Sequence, residues 1–393
     1  MTSAANLRPT ASPTPVAEEG LRNVVATKSA ICEVYGGDPE RGLPARLIYR
    51  GYDINDLARF STFEETTYLL WHGELPTRAQ LAELEQQLEA NRALPPPVAD
   101  LLGRFPKQST PMDVLRTVVS ALQLWDPDEN DDSLPAAQRK ALRLTAQMPV
   151  LVTTWHRLRT GQEPLAPKPG QSTAEAFLYT LTGRDPDPIE ARTFDVALIL
   201  HADHELNAST FAGRVTAATL ADLHSAITSA IGALIGPLHG GANEGVIRML
   251  QAIGEIDRVE EYIKSELAQH HRIMGFGHAV YKMADPRALH LRELSRQLGE
   301  RRGDLKYWEM SRKIEEVMAR ERHLNANVDF YSASTYYALG IPSDLFTPVF
   351  AVSRITGWTA HVLEQYADNR LIRPRAEYVG PRDRQYVPID QRG

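Results

Sequence analysis

The stretch IMGFGHAVYKMADPRA, residues 273–288, sets His278 directly after a Gly-Phe-Gly, with Lys282 four residues on and Arg287 nine residues on. Two glycines are too few for a dinucleotide fingerprint, and no strand pattern precedes them, so the run is weak evidence for a nucleotide loop. Taken alone it also reads as a tightly packed histidine beside backbone that glycine allows to approach closely. The surrounding chain decides between these.

What surrounds it is helical pattern. Thr77–Gln80 and Thr110–Asp113 read as capping boxes, the second with Pro111 in the first helical position. Ser172 opens a helix that stops at Gly183. Residues 216–236, TAATLADLHSAITSAIGALIG, are expected to form one long apolar helix. RVEEYIKSELAQ (258–269) and SRKIEEVMARER (311–322) read as amphipathic surface helices. Strand patterns are confined to SAICEVYGG (29–37) and ARLIYRGYDI (45–54), which predict a small hairpin around a Gly/Pro/Asp-rich turn. Strands and helices do not alternate, so the fold class is all-α with a minor N-terminal β-hairpin, not a doubly wound sheet. The acidic loop DPDENDDSLP (126–135) lacks the glycine and terminal glutamate of a calcium loop and is expected to be solvated.

A chain of 393 residues suggests two domains, or one large domain with an inserted lobe. An apolar share of 43% is ample for a core, and a net charge of −7 argues against nucleic-acid binding. No run approaches the roughly 20 apolar residues that cross a bilayer. Residues 1–20 read as a disordered tail rich in Ser, Thr, Ala and Pro, without the features of a secretory signal. Cys32 is the single cysteine, which excludes an internal disulfide and fits a reducing cytoplasm. It reads as a buried structural thiol before it reads as a nucleophile.

The chemistry collects in the second half, where eight of the twelve histidines fall between residues 201 and 290. His201, Asp203 and His204 invite a metal reading, but a three-residue histidine spacing is not that of HExxH and no third ligand is evident. One of these histidines could instead donate to a small anionic substrate. His239 precedes Gly240-Gly241 and a helix expected from about Ala242. The helix dipole there favours a neutral imidazole, which can donate to a developing enolate oxygen. Asp329 sits between Val328 and Phe330. Burial there would raise its pKa and make it a stronger base, although a capping or ion-paired aspartate is the blander alternative. Arg354 lies in an apolar helical pattern and should meet an anion, either a ligand or an internal carboxylate. Arg373 and Arg375 bracket Pro374 in an irregular tail, and guanidinium pairs are the usual clamps for carboxylates.

GLRNVVATKSAI (20–31), ARLIYRGYDINDLA (45–58), GPLHGGANE, GFGHAVYKMADPR, NVDFYSAS and IRPRAEYVGP (372–381), in this order, resemble the citrate synthase family over nearly the whole chain. GFGHAVYKMADPR is the most specific of these pieces. The resemblance implies an almost all-helical fold with a large domain made from residues 21–239 and 339–393, and a smaller acyl-CoA lobe, 240–338, inserted between them. It implies condensation of acetyl-CoA with oxaloacetate, then hydrolysis of citryl-CoA. It assigns Asp329 as the base, His239 as the group on the thioester oxygen and His278 as the group on the oxaloacetate carbonyl. His204, Arg287 and Arg354 match oxaloacetate contacts, and Arg373 matches an arginine supplied across a homodimer. Lys282 and Arg322 match positions that contact CoA. No metal and no cofactor is required. Within the family the rival is 2-methylcitrate synthase, which uses propionyl-CoA. Outside it, the rival is a metal-dependent hydrolase on His201, Asp203 and His204. A catalytically silent ligand-binding member is a third reading, against which His239, His278 and Asp329 argue jointly.

Overall fold

The computed structural model describes residues 19–21 and 24–393. Residues 1–18, the bulk of the expected tail, lie outside the described residues. Two compact units emerge: the described residues up to Lys28 with Ile372–Gly393, and Ser29–Leu371. The first is mostly irregular, with short 3-10 turns at Glu19–Leu21 and Ile389–Gln391.

The larger unit opens with a three-stranded antiparallel sheet, β1 (Cys32–Tyr35), β2 (Arg46–Tyr49) and β3 (Tyr52–Asp53), paired in sequence order. Cys32 faces Tyr49 and Tyr35 faces Arg46. Sixteen helices follow among the described residues. The first eight are α1 (Ile54–Phe60), α2 (Phe63–His72), α3 (Arg78–Ala90), α4 (Pro96–Arg104), α5 (Pro111–Leu122), α6 (Leu134–Arg159), α7 (Thr173–Thr182) and α8 (Pro188–His201). The second eight are α9 (Ala208–Ala217), α10 (Leu223–Leu234), α11 (Ala242–Ile253), α12 (Val259–Ala268), α13 (Pro286–Arg302), α14 (Lys306–Arg322), α15 (Val328–Ala338) and α16 (Phe346–Ala367). None of the helices is long and apolar enough to cross a membrane.

The helix starts follow local chemistry. Thr77 with Gln80, and Ser172 with Glu175, form reciprocal capping boxes, and Gly183 ends α7 in the left-handed conformation. One expected helix is two. Residues 216–236 break after Ala217, Leu220 takes a φ of 63°, and Asp222 caps α10 by accepting from Ser225 N at 2.9 Å. The apolar pattern on both sides reads as continuous, but a capping carboxylate at that position restarts the helix. The acidic loop is also not simply solvated. Arg143 of α6 bonds Asp126 and Asp128, Arg139 bonds Asp128 at 3.0 Å, and Lys140 donates to the Asp131 carbonyl at 3.0 Å. These cations, at helical spacing on α6, turn the loop down onto the helix.

Helix α16 is buried on nearly every side and lies at the centre, against α2, α6, α8, α9 and α10. Gly357, midway along it, receives the turn that follows α8. Its N–H donates to the Ala202 carbonyl at 3.1 Å, and a Cβ there would stand 2.3 Å from that same oxygen. The turn is therefore pressed against the helix backbone, with Asp203 alongside. Tyr49 of β2 holds it from the other side, donating to the Asp203 carbonyl at 2.8 Å and accepting from Asp203 N at 3.1 Å.

Gly357→Ala is expected to cost about 1–3 kcal/mol by forcing these backbones apart. Gly103→Ala, near the exposed end of α4 with open space around it, should be neutral or gain up to about 1 kcal/mol. Equilibrium urea unfolding of both variants measures the difference.

Candidate active site

Five segments of the larger unit converge on one cluster. The first is the turn between α8 and α9. His201, Asp203 and His204 are close in sequence, yet each turns to a different partner. The His201 Nδ1–H donates to the Ala197 carbonyl at 2.8 Å, Asp203 Oδ2 meets His361 Nε2 at 3.1 Å, and His204 Nε2 lies 3.1 Å from the Tyr281 hydroxyl. Arg214 donates to His361 Nδ1 at 3.0 Å, so His361 carries its proton on Nε2 and gives it to Asp203. The three groups do not share a metal-like focus, and among the described residues no set of His, Cys, Asp or Glu is arranged to hold an ion.

The second segment is the loop at 273–285. It is sewn to the start of α15: Gly277 N donates to the Asn325 carbonyl at 3.1 Å, Asn327 N to the Gly275 carbonyl at 2.9 Å, and Asn327 Nδ2 to the Gly277 carbonyl at 2.9 Å. Gly275 has a φ of 81°, and a Cβ on it would stand 2.8 Å from Phe330. That glycine serves contact with the helix carrying Asp329, rather than approach by a ligand. At the far end of the loop, Lys282 N donates to the Gly36 carbonyl at 2.8 Å, which docks the loop on the β1–β2 connection. His278 Nδ1 accepts from both Val280 N and Tyr281 N at 3.0 Å. A neutral His278 therefore carries its proton on Nε2. Its ring stacks on Tyr281 at 4.4 Å and lies 5.1 Å from the His204 ring.

The third segment carries His239 in the turn before α11. Its Nε2 is 2.8 Å from Ser209 Oγ, which also accepts from Trp358 Nε1 at 3.1 Å and lies 2.7 Å from Asn207 Oδ1. Asn207 Oδ1 can only accept, so Ser209 gives its one hydroxyl proton to Asn207, and its Oγ accepts from Nε2–H of a neutral His239. A turn of that hydroxyl toward His239 would move the imidazole proton to Nδ1, the nitrogen without a protein partner.

The fourth segment is the first turn of α15. Asn327 caps the helix, accepting from Asp329 N at 3.0 Å. Asp329 Oδ1 is buried and has no hydrogen-bond partner. Burial raises its carboxyl to about 6, with Arg287 and Arg354 working against the shift and Asp285 with it. The fifth is α16, where Arg354 donates from Nε to the His201 carbonyl at 2.6 Å and lies 4.7 Å over the Phe350 ring. Its Nη1 is buried and unpaired, and it forms no ion pair with a carboxylate among the described residues. Phe350 also packs edge-on against His201 and His239.

The electrostatics are consistent across the cluster. Burial lowers His239 to about 4, helped by Arg354, and lowers His278 to about 4, helped by Arg287. Burial, with Arg287 and Arg354 adding to it, holds His204 well below the ordinary range. The imidazoles are thus neutral donors at physiological pH, beside a carboxyl that is a stronger base than usual.

His204, His239, His278, Arg287, Asp329 and Arg354 all belong to this cluster. Lys282 and Arg322 have exposed side chains outside it, Arg322 donating to the Leu267 carbonyl at 3.3 Å. Arg373 is exposed in the other unit. The sequence reading missed Asp285, Tyr281, Ser209, Trp358 and Phe350. Asp285-Pro286 carried a signal, a capping residue before a proline at the first helical position. The others carried none, because the contacts that bring them to the site, Tyr281 to His204, Ser209 to His239, Trp358 to Ser209 and Phe350 to His201, join groups distant in sequence. Nitrogen-15 NMR at pH 7 should find His278 neutral with its proton on Nε2, and an imidazolium signal would contradict this electrostatic account.

The model of the family described as "Citrate synthase, C-terminal domain" matches residues 20–375. "Citrate synthase 2" of Bacillus subtilis is 51% identical over 377 residues, covering 96% of this chain and 99% of that protein. A 2-methylcitrate synthase of Shewanella oneidensis is 42% identical, covering 95% and 97%. Citrate synthase of the thermophilic archaeon Thermoplasma acidophilum, solved in ternary complex with carboxymethyl coenzyme A and oxaloacetate, superposes with a TM-score of 0.88 at 33% identity, covering 95% and 99%. A match along nearly the whole sequence, joined to a helical fold of the same shape, establishes that this chain belongs to the citrate synthase family.

Proposed function

We propose that this protein condenses acetyl-CoA with oxaloacetate and hydrolyses the resulting citryl-CoA to citrate and CoA. The observation that carries the proposal is a pair of unsatisfied buried groups, Asp329 Oδ1 and Arg354 Nη1, set among neutral histidines, one of which, His278, has its donor nitrogen fixed. Unpaired buried polar atoms are costly, and two of opposite charge in one cluster suit a ligand that brings both a proton to lose and a carboxylate.

Asp329 takes a proton from the acyl methyl group, whose acidity is too weak for an unassisted base. His239 stabilises the enol oxygen through Nδ1–H once the Ser209 hydroxyl turns from Asn207 to donate a hydrogen bond to Nε2. His278 donates from Nε2 to the ketone oxygen of oxaloacetate, so the enol carbon meets a polarised carbonyl. Arg287, Arg354 and His204 hold the dianion, with Arg373 contributed by the second subunit of a homodimer. Lys282 and Arg322 serve the CoA phosphates from the exposed rim. Water then cleaves the thioester of citryl-CoA, which draws the reaction forward. Residues 240–338 would act as the lobe that closes over the acyl-CoA and excludes water from the condensation. No metal or cofactor enters any step, and the single cysteine suits a cytoplasmic setting.

Propionyl-CoA is the alternative acyl substrate, supported by the 42% identity with a 2-methylcitrate synthase. One methylene changes pocket binding by only about 1–3 kcal/mol, and the groups doing the chemistry are shared.

Release of CoA thiol with oxaloacetate and each acyl-CoA in turn tests the proposal. A higher kcat/KM for acetyl-CoA is expected, and a clear preference for propionyl-CoA would reassign the substrate. Asp329→Ala should lower kcat by roughly 10²–10⁴-fold while oxaloacetate still binds. Near wild-type turnover would remove Asp329 from the mechanism. Arg354→Leu should raise the KM for oxaloacetate by roughly 10–150-fold, the loss of about 1.5–3 kcal/mol of charged hydrogen bonding. Because the base must be ionised, kcat/KM should fall as pH drops through about 6, the position of Asp329. The histidines at about 4 stay neutral across that limb.

A further inference from the structure

We propose that Asp285 is a positioning residue for both substrates, a strut that fixes the oxaloacetate-binding Arg287 and the base Asp329 in one register. The inference rests on the assignment of those two residues above. Asp285 is 2% exposed, and its two oxygens accept four hydrogen bonds. Oδ1 takes Arg287 N and Arg287 Nε, both at 3.0 Å. Oδ2 takes Arg287 Nη2 at 2.9 Å and Val328 N at 3.0 Å. The last of these reaches 43 residues along the chain to the first residue of α15.

One carboxylate therefore caps two helices. It caps its own helix, α13, and satisfies an N–H at the start of α15 that the Asn327 cap leaves free, since Asn327 takes Asp329 N. Asp329 is the next residue after Val328. Any movement of Arg287 on α13 is thereby passed to the base on α15 through a single rigid group.

The strut also sets how Arg287 can meet a ligand. Asp285 occupies the Nε–Nη2 edge of the guanidinium, so a substrate carboxylate is left the Nη1 end. The same carboxylate acts on the base electrostatically. The charged groups facing Asp329 are Arg287 and Asp285 at the start of α13 and Arg354 on α16, with the Tyr336 phenol on its own helix. Both arginines weaken the base, and Asp285 opposes them.

Val328→Pro cuts only the link to α15. Proline is favoured at the first helical position, and Asn327 before it is already extended at φ −97°, ψ −178°. This variant should fold and keep its KM for oxaloacetate within about two-fold, while kcat falls by roughly 10- to 100-fold, as for a base displaced by a fraction of an ångström. Asp285→Asn removes the charge and disturbs both links. It should lower kcat, raise the KM for oxaloacetate, and move the acid limb of kcat/KM to lower pH, because the base loses the charge that strengthens it. A Val328→Pro enzyme with wild-type kcat would overturn the strut. So would an Asp285→Asn enzyme that melts earlier yet keeps the wild-type kcat and acid limb, since a purely structural ion pair would behave that way. If the wild-type protein releases no CoA with oxaloacetate and either acyl-CoA, the assigned reaction fails instead.

Discussion

The antiparallel seam between residues 275–277 and 325–327 is the contact on which the site depends. Two backbone hydrogen bonds and the Asn327 side chain hold it. It brings His278 and Asp329, fifty-one positions apart in the chain, onto adjoining pieces of backbone. Gly275 makes the seam possible, because its left-handed φ and missing Cβ let Phe330 lie against it. The GFGH motif is thus explained by packing on α15 before it is explained by any ligand.

Around that seam the protein keeps its histidines neutral and its charges few but deep. Arg287 and Asp285 neutralise one another, while Asp203 faces a neutral His361 that Arg214 orients from behind. Arg354 is left with an unpaired Nη1 and Asp329 with an unpaired Oδ1. Desolvation that would be a liability in an ordinary core here stores interaction for whatever enters. The same burial that raises the Asp329 carboxyl keeps the imidazoles from protonating, so one physical cause acts on both kinds of group.

Much of the helical content was legible locally. Thr77, Thr110 and Ser172 mark helix starts through their own side chains, and Gly183 marks an end through its backbone. The restart at Asp222 was hidden because apolar residues continue on both sides of it. The clamped loop at 126–131 was hidden because its neutralising cations lie on α6, beyond the loop itself. At the site, His204, His239, His278, Arg287, Asp329 and Arg354 were all named from motifs. Ser209, Tyr281, Trp358 and Phe350 were not, because an ordinary side chain acquires a role only from what packs beside it.

The sequence by itself determined the helical class, the family, and the residue types at the site, because caps, periodicity and contiguous motifs are encoded within a few residues. The tertiary structure alone decided which nitrogen of His278 carries the proton, that Asp329 Oδ1 is buried without a hydrogen-bond partner, and that Asp285 joins two helices. Those properties depend on distances between groups far apart in the chain, and on the burial that only the packed helices impose.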